Sequence, residues 1–270
     1  MKDNKIKKIV LAIACIIVLI GIIILGCGIV RKNTYNPQNP IATIEVENYG
    51  TIKVELYPTQ APNTVANFIK LANNGFYNGL TFHRTIPDFM IQGGDKQGNG
   101  TGSPTLKDLD ERLEDKEYSI KGEFIGNKVN NKIKLERGVI AMARSDYSNI
   151  KQTEAGYNSA GSQFFIVQKD QSSLDGMYAG FGKVIEGIEV VDAIANTEVY
   201  YRSKDLGENE KAPKDENGNE ISSDKPKTSV VIKSVTVETY GVDYGMPETQ
   251  EPFNYYNWLM QNYYSSSSNK

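Results

Sequence analysis

The chain has 270 residues, 39% of them hydrophobic, with 30 Lys and Arg against 33 Asp and Glu. The charge is unevenly spread: residues 1–32 hold six basic side chains and one acidic one, leaving 24 basic and 32 acidic residues beyond them, a net of −8. That sign is the wrong one for binding phosphate and excludes nucleic acid as a partner.

Ile9 to Val30 is an uncharged run of 22 residues, long enough to cross a bilayer as a helix. Lys2, Lys5, Lys7 and Lys8 precede it, while Arg31 and Lys32 follow, a bias that predicts a cytoplasmic N-terminus and an extracytoplasmic remainder. The run reads as an uncleaved signal anchor. Alternatively, Ile24-Leu25-Gly26-Cys27 resembles a bacterial lipobox, which makes Cys27 a lipidation site. The long apolar core and the bulky Leu25 favour the uncleaved helix. Cys15 and Cys27 are the only cysteines, so the rest of the chain has no thiol and no disulfide. The predicted organisation is an anchor or lipoprotein signal at 1–32, a linker at 33–40, a globular domain at 41–239 and a tail at 240–270. Anchorage on the outer face of the cell membrane follows.

Ala42 to Val46 and Thr51 to Tyr57 alternate apolar and polar residues, with Asn48-Tyr49-Gly50 as the turn of a hairpin. Ala61 to Asn73 predicts a helix: Pro62 suits its first turn, Asn63 or Thr64 offers a cap, and Val65, Phe68, Ile69 and Ala72 form one apolar stripe. Leu80 to Gly94 reads as two strands broken at Pro87. The glycine-rich loop from Asp95 to Ser103 lacks the Lys-Ser/Thr ending of a phosphate loop, which excludes nucleotide binding there. Thr105 to Glu117 reads as a charged excursion, and Ser145 to Ser159 as a polar, flexible stretch. Short strands are expected at Ile120 to Phe124, Ile133 to Leu135, Gly138 to Arg144, Gln163 to Gln168 and Gly180 to Ile185. A short helix follows at Val190 to Ala195, and a last strand at Val230 to Thr239. Residues 200–228 are charged and glycine-rich, an exposed insertion. The tail carries Phe253, Tyr255, Tyr256, Trp258, Leu259 and Met260, which are expected to dock on the domain.

The stretch Phe82 to Asp95 joins a cation, large apolar side chains and an amide. Strict alternation sets Phe89 and Ile91 on one face and Met90 and Gln92 on the other. A bend or bulge is therefore needed if Phe89, Met90 and Gln92 share a site. His83 is the only histidine, so a nucleophilic triad has one candidate, and it neighbours Phe82 in an expected strand. A histidine-rich metal site is impossible, and the carboxylates show no pairing in an apolar context. The residues point to chemistry that breaks no σ-bond.

Phe82-His83-Arg84, Ile86-Pro87, Phe89-Met90 and Gln92-Gly93-Gly94-Asp95 resemble the signature of the cyclophilins, peptidyl-prolyl cis-trans isomerases. Asn99 to Gly102, Gly138 to Ala143, Gly161 to Ile166, Leu174-Asp175-Gly176 and Phe181 to Val184 match further blocks in the family's order. The resemblance covers roughly residues 41–238. It implies a closed eight-stranded antiparallel β-barrel capped by two α-helices, here preceded by one N-terminal membrane helix. It also implies isomerisation of X–Pro bonds, with proline-containing polypeptides as partners, no cofactor and no metal. It assigns Arg84, Phe89 and Gln92 to catalysis. Met90, Ala143, Arg144, Gln163, Phe165, Leu174 and Tyr178 it assigns to substrate binding. A monomer that speeds the folding of translocated proteins is the expectation; a non-catalytic proline-peptide-binding chaperone or scaffold is the alternative. Two departures stand out: Ser173 and Tyr178 replace a Trp and a His of the family's best-known members.

Overall fold

The computed structural model describes residues 16–21, 38–202, 205–207 and 210–267. The expected anchor falls mainly outside them, Cys15 and Cys27 included. Residues 16–21 are helical, and the side chains of Ile16 to Ile20 are exposed. Among the described residues no helix is long and apolar enough to cross a membrane.

From residue 39 the chain forms one unit built on an antiparallel sheet. Its strands are β1 (Ile41–Val46), β2 (Gly50–Leu56), β3 (Thr81–Ile86), β4 (Met90–Asp95), β5 (Val139–Met142), β6 (Phe164–Val167), β7 (Gly180–Glu186) and β8 (Ile232–Glu238). They lie in the order β3-β4-β6-β5-β7-β2-β1-β8. The sheet curls, but the expected closed barrel is not formed. Its edge strands β3 and β8 share no ladder and meet at the single bridge Thr81↔Val231, flanked by Phe82 N–H donating to Val230 O at 2.9 Å. The result is a half-barrel of eight strands.

Alternation sorts the side chains onto two apolar faces. Ala42, Ile44, Ile52, Val54, Phe82, Ile91, Ile140, Phe164, Ile166 and Phe181 point into the main core. Helix α1 (Pro62–Asn73) closes on it with Val65, Phe68, Ile69 and Ala72, the stripe expected from spacing. A short helix α2 (Leu106–Leu109) buries Leu109 there, so the charged excursion has an apolar foot. A third short helix, α3 (Thr153–Tyr157), interrupts the polar stretch before β6. Helix α4 (Ile188–Ala195) adds Val190, Val191 and Ile194 to the main core. On the opposite face, Met90, Val139, Ala141, Phe165 and Val167 form a second cluster with Leu135. Strands β5 and β6 are thus buried at every residue, which explains their uninterrupted apolar runs. The strands expected at 120–124 and 133–135 do not form: Ile120 makes one bridge to Ala160, and both segments bury side chains from irregular backbone.

The tail folds back onto the domain. Ser119 and Gln250 exchange backbone hydrogen bonds of 3.0 and 2.9 Å, and Phe253 packs 5.0 Å from the Tyr147 ring. A last helix, α5 (Tyr255–Ser267), leaves Tyr255, Tyr256 and Leu259 exposed, so only the tail's first part docks.

Two local devices shape the region that follows. The first is at the start of α1. Neither Asn63 nor Thr64 caps it, since the N-cap is Ala61 with no side-chain bond. The Glu123 carboxylate, brought from sixty residues away, accepts from Asn63 N–H at 3.1 Å and from Thr64 N–H and Oγ1, each at 2.7 Å. An anion suits the positive end of a helix, and it satisfies donors that have no partner within the helix. The second is a bulge in β3. Phe82 pairs with Gly93 while Arg84 pairs with Gln92, so His83 is an extra residue. Both Phe82 and His83 are buried. Burial pushes the His83 pKa below its ordinary 6.5, partly opposed by the Asp95 carboxylate.

Two predictions follow from these devices. Glu123→Ala strands two backbone donors and a hydroxyl, and should destabilise the fold by about 1–3 kcal/mol in urea unfolding, with Glu123→Gln losing less. The second concerns pH. The unfolded chain binds a proton at His83 below about pH 6.5 that the folded chain excludes, so His83 contributes stability above that pH and loses it as pH falls. Wild type should therefore lose stability between about pH 7 and 5, with a flatter profile for His83→Gln.

Candidate active site

The bulge decides the position of Arg84. Residues 82 and 84 would share a face in a regular strand. With His83 inserted, Phe82 turns into the core while Arg84 stands on the opposite face, across from Gln92. Gly93 permits this: a Cβ there would lie 3.0 Å from the Phe82 ring and 3.1 Å from Thr81 O. Phe89 reaches the same face by another route. It lies in the turn between β3 and β4, after Asp88 at φ 60°, outside strand alternation. The bend at Asp88 is the departure from alternation that lets Phe89 join Met90 and Gln92, while the separate bulge at His83 brings Arg84 to them.

Arg84, Phe89, Met90, Gln92, Ala143, Arg144, Phe165, Leu174 and Tyr178 line one cleft of about 120 Å³. Sites for drug-sized ligands run to about 300–1,000 Å³, so this cleft suits a single small ring or side chain. Its floor is Met90 and Phe165, both buried. Phe165 is adjacent to Gln92 on β4 and Ala141 on β5, and the Tyr178 ring meets its edge at 5.4 Å and 88°. The segment carrying Leu174 and Tyr178 is pinned from beneath, where Leu135 N–H donates to Asp175 Oδ1 at 2.7 Å. Ser173 is exposed in the turn before Leu174.

A chain of side-chain amides sets the polar wall. Arg84 Nη1 donates to Gln92 Oε1 at 3.5 Å, and Gln92 Nε2 donates to Gln163 Oε1 at 3.0 Å. Gln163 Nε2 ends the chain on the carbonyls of Gly100 and Gly102, each at 3.1 Å. Each amide has one orientation that satisfies both neighbours, so the relay fixes the Gln92 head. Gln163, the one expected substrate-binding residue outside the cleft lining, acts on it through Gln92. It lines an adjoining depression of about 410 Å³ that shares Gln92, Ala143 and Arg144 and runs on to Tyr147 and Phe253.

Arg144 is differently placed from Arg84. Its Nε donates to Met177 O at 3.0 Å and its Nη1 to Ser145 O at 3.1 Å. Its guanidinium lies over the rings of Tyr178 and Tyr157 at 4.7 and 5.0 Å. Those donors are committed to the protein, so Arg144 builds the wall, whereas Arg84, 38% exposed, keeps a face toward the cleft. Among the described residues no group of His, Cys, Asp or Glu could hold a metal ion. The arrangement offers an apolar seat, a fixed cation and an oriented amide.

Sequence reasoning missed one charged neighbour. Asp224, in the insertion, brings its Oδ2 to 3.8 Å from Arg84 Nε. A lone Asp in a polar, charged stretch carries no signal that it is buried.

A profile of the family described as cyclophilin type peptidyl-prolyl cis-trans isomerase/CLD matches residues 41–237. The chain is 44% identical over 154 residues to peptidyl-prolyl cis-trans isomerase B of Bacillus subtilis, a match covering 57% of this chain and 90% of that protein. It is 40% identical over 157 residues to the peptidyl-prolyl cis-trans isomerase of Synechococcus elongatus, covering 57% and 88%. It is also similar to a solved cyclophilin type peptidyl-prolyl cis-trans isomerase of Cryptosporidium parvum, determined in the presence of the dipeptide Ala-Pro. That likeness has a TM-score of 0.52 and 29% identity, and covers 73% of this chain and 98% of the other.

Proposed function

The chain belongs to the cyclophilin-type peptidyl-prolyl cis-trans isomerases, and on that footing we propose that Arg84 drives rotation about X–Pro bonds in polypeptides held in the 120 Å³ cleft. The barrier to be lowered is that of a conjugated amide, about 18–20 kcal/mol. Midway through rotation the conjugation is lost and the prolyl nitrogen regains a lone pair. A donor aimed at that nitrogen stabilises the twisted state more than either planar isomer. Arg84 is always charged, and its rigid fork leaves a donor free while Gln92 engages Nη1. Met90, Phe165, Leu174 and Phe89 hold the proline ring. The polypeptide N-terminal to it runs past Ala143 and Gln163 into the larger depression, and Gln92 meets its backbone. No proton is transferred and no bond is broken.

The observation that carries this reading is the convergence of Arg84, Gln92 and the apolar seat on one small cleft. The catalytic reading is favoured over a passive peptide-binding scaffold because Arg84 is fixed by Gln92 and Asp224 yet still open to the cleft. The cellular setting is part of the proposal. The apolar run 9–30, flanked by four lysines before and two basic residues after, supports an anchor in the cell membrane with the isomerase domain outside, where the protein acts as a monomer. Its clients are then translocated chains, whose folding it speeds. Mass spectrometry of the mature N-terminus distinguishes an intact anchor from a chain beginning at lipidated Cys27.

Arg84→Ala should lower kcat/KM on an X–Pro peptide by about 10²–10³-fold, the loss seen when one transition-state donor is removed. Undiminished activity in an NMR exchange assay would reject the mechanism. Cyclosporin should inhibit only weakly, because Ser173 supplies no indole at the rim. Inhibition at nanomolar concentration would contradict that, and Ser173→Trp should increase sensitivity.

A further inference from the structure

The free edge of β3 that β8 does not pair is taken by the insertion. Thr85 N–H donates to Asp224 O at 2.9 Å, and Asp224 N–H donates to Tyr201 O at 2.9 Å. The Arg202 guanidinium donates to Thr85 O. Both outward backbone groups of Thr85 are therefore satisfied by the insertion, which caps the strand that carries Arg84. This docking buries the Asp224 side chain to 4% exposure directly behind the catalytic cation. Its carboxylate lies between two guanidiniums, with Oδ2 3.8 Å from Arg84 Nε and Oδ1 3.5 Å from Arg202 Nη1. Asp224 also holds φ at 59°, in the left-handed region where Asp is among the few non-glycine residues regularly found.

We propose that Asp224 is a positioning residue for Arg84, and that the insertion is a working part of the active site. The inference rests on the reading of Arg84 given above. A long arginine side chain has many rotamers, and only some direct a donor at the prolyl nitrogen. Asp224 attracts the Nε edge of the guanidinium from behind, and Gln92 accepts from Nη1 at 3.5 Å. The Asp224 contact is an ion pair without a hydrogen bond, so its pull is electrostatic: together with Gln92 it biases the fork toward the cleft before substrate arrives. A carboxylate beside a catalytic cation also weakens its field, and here Arg202 compensates: two cations and one anion leave a net positive charge at the site. Buried carboxylates without a partner are strongly unfavourable, and Arg202, 3.5 Å from Oδ1, gives the buried Asp224 a second cation.

The test compares Asp224→Asn with wild type in three readouts. Asparagine keeps the size and the backbone bonds to Thr85 and Tyr201 while removing the charge. With the fold intact by thermal unfolding, kcat should fall by about 5–30-fold, the factor for one to two kcal/mol, while KM for an Ala-Pro peptide changes little. The Arg84 Nε–Hε resonance should move, because the charge beside it is removed. In an Arg84→Lys background, which has no Nε–H fork, Asp224→Asn should have no further effect on kcat. With Arg84 in place, Asp224→Glu should keep more of the wild-type rate than Asp224→Asn. A wild-type kcat in Asp224→Asn, or an equal loss in the Arg84→Lys background, overturns the proposal. If the variant does not fold, the wild-type protein decides: an Arg84 Nε–Hε signal averaged over several orientations overturns it, and a single, shifted one supports it. Full activity of Arg84→Ala would instead reject the catalytic reading itself, so the two failures are distinguishable.

Discussion

One extra residue in β3 governs the site. If β3 were regular, Phe82 and Arg84 would lie on the same side of the sheet, and either the core would lose a buried ring or the guanidinium would be driven into the core. The bulge at His83 removes the conflict by turning Phe82 inward and Arg84 outward within three residues. Its local demands are visible around it. Gly93 has no side chain because the Phe82 ring lies where one would go, and Gly94 adopts φ 80° with Ser162 O against it. The buried imidazole of His83 follows from the same geometry: the only histidine packs beside Phe82 and does not line the cleft.

Everything else in the site is arranged around the face that the bulge selects. Most small sheets have one buried face and one wet one; here the strands β4, β6 and β5 are apolar on both. The inner cluster holds the fold together, and the outer cluster is a partly exposed seat whose missing portion is the size of a ring. Mounting that seat on paired strands makes it rigid, and the amide relay from Gln92 through Gln163 to the glycine loop extends the rigidity to the polar wall. Rotation about a bond needs such a device. The substrate must turn on one side while it is held on the other, and a compliant seat would turn with it.

Segments added around this frame are tied to it by specific contacts. The insertion caps the edge of β3 and places Asp224 behind Arg84. The tail pairs at Ser119 and sets Phe253 beside the depression next to the cleft. Glu123, far from α1 in sequence, neutralises the start of that helix and joins two parts of the chain that alternation alone would leave independent. In each case a polar group buried by long-range contact finds its partner in a segment remote in sequence.

The residue pattern marked the eight strands that form, together with two that do not, and the stripe of α1, while the ordered motif blocks of the family resemblance named the nine residues that line the cleft. It also established that Phe89, Met90 and Gln92 needed a departure from alternation to meet. Tertiary structure decided what that departure was. It decided that the sheet curls without closing, that Ile120 and Leu135 are buried from irregular backbone, and that Arg144 is spent on Met177, Ser145 and aromatic rings while Arg84 is open. It also decided that Asp224 is buried. Short-range periodicity fixes which way a side chain points relative to its own strand. Where a charge ends up depends on which distant segment covers it, and that depends on edge pairing, loop closure and packing between parts of the chain that sequence order does not bring together.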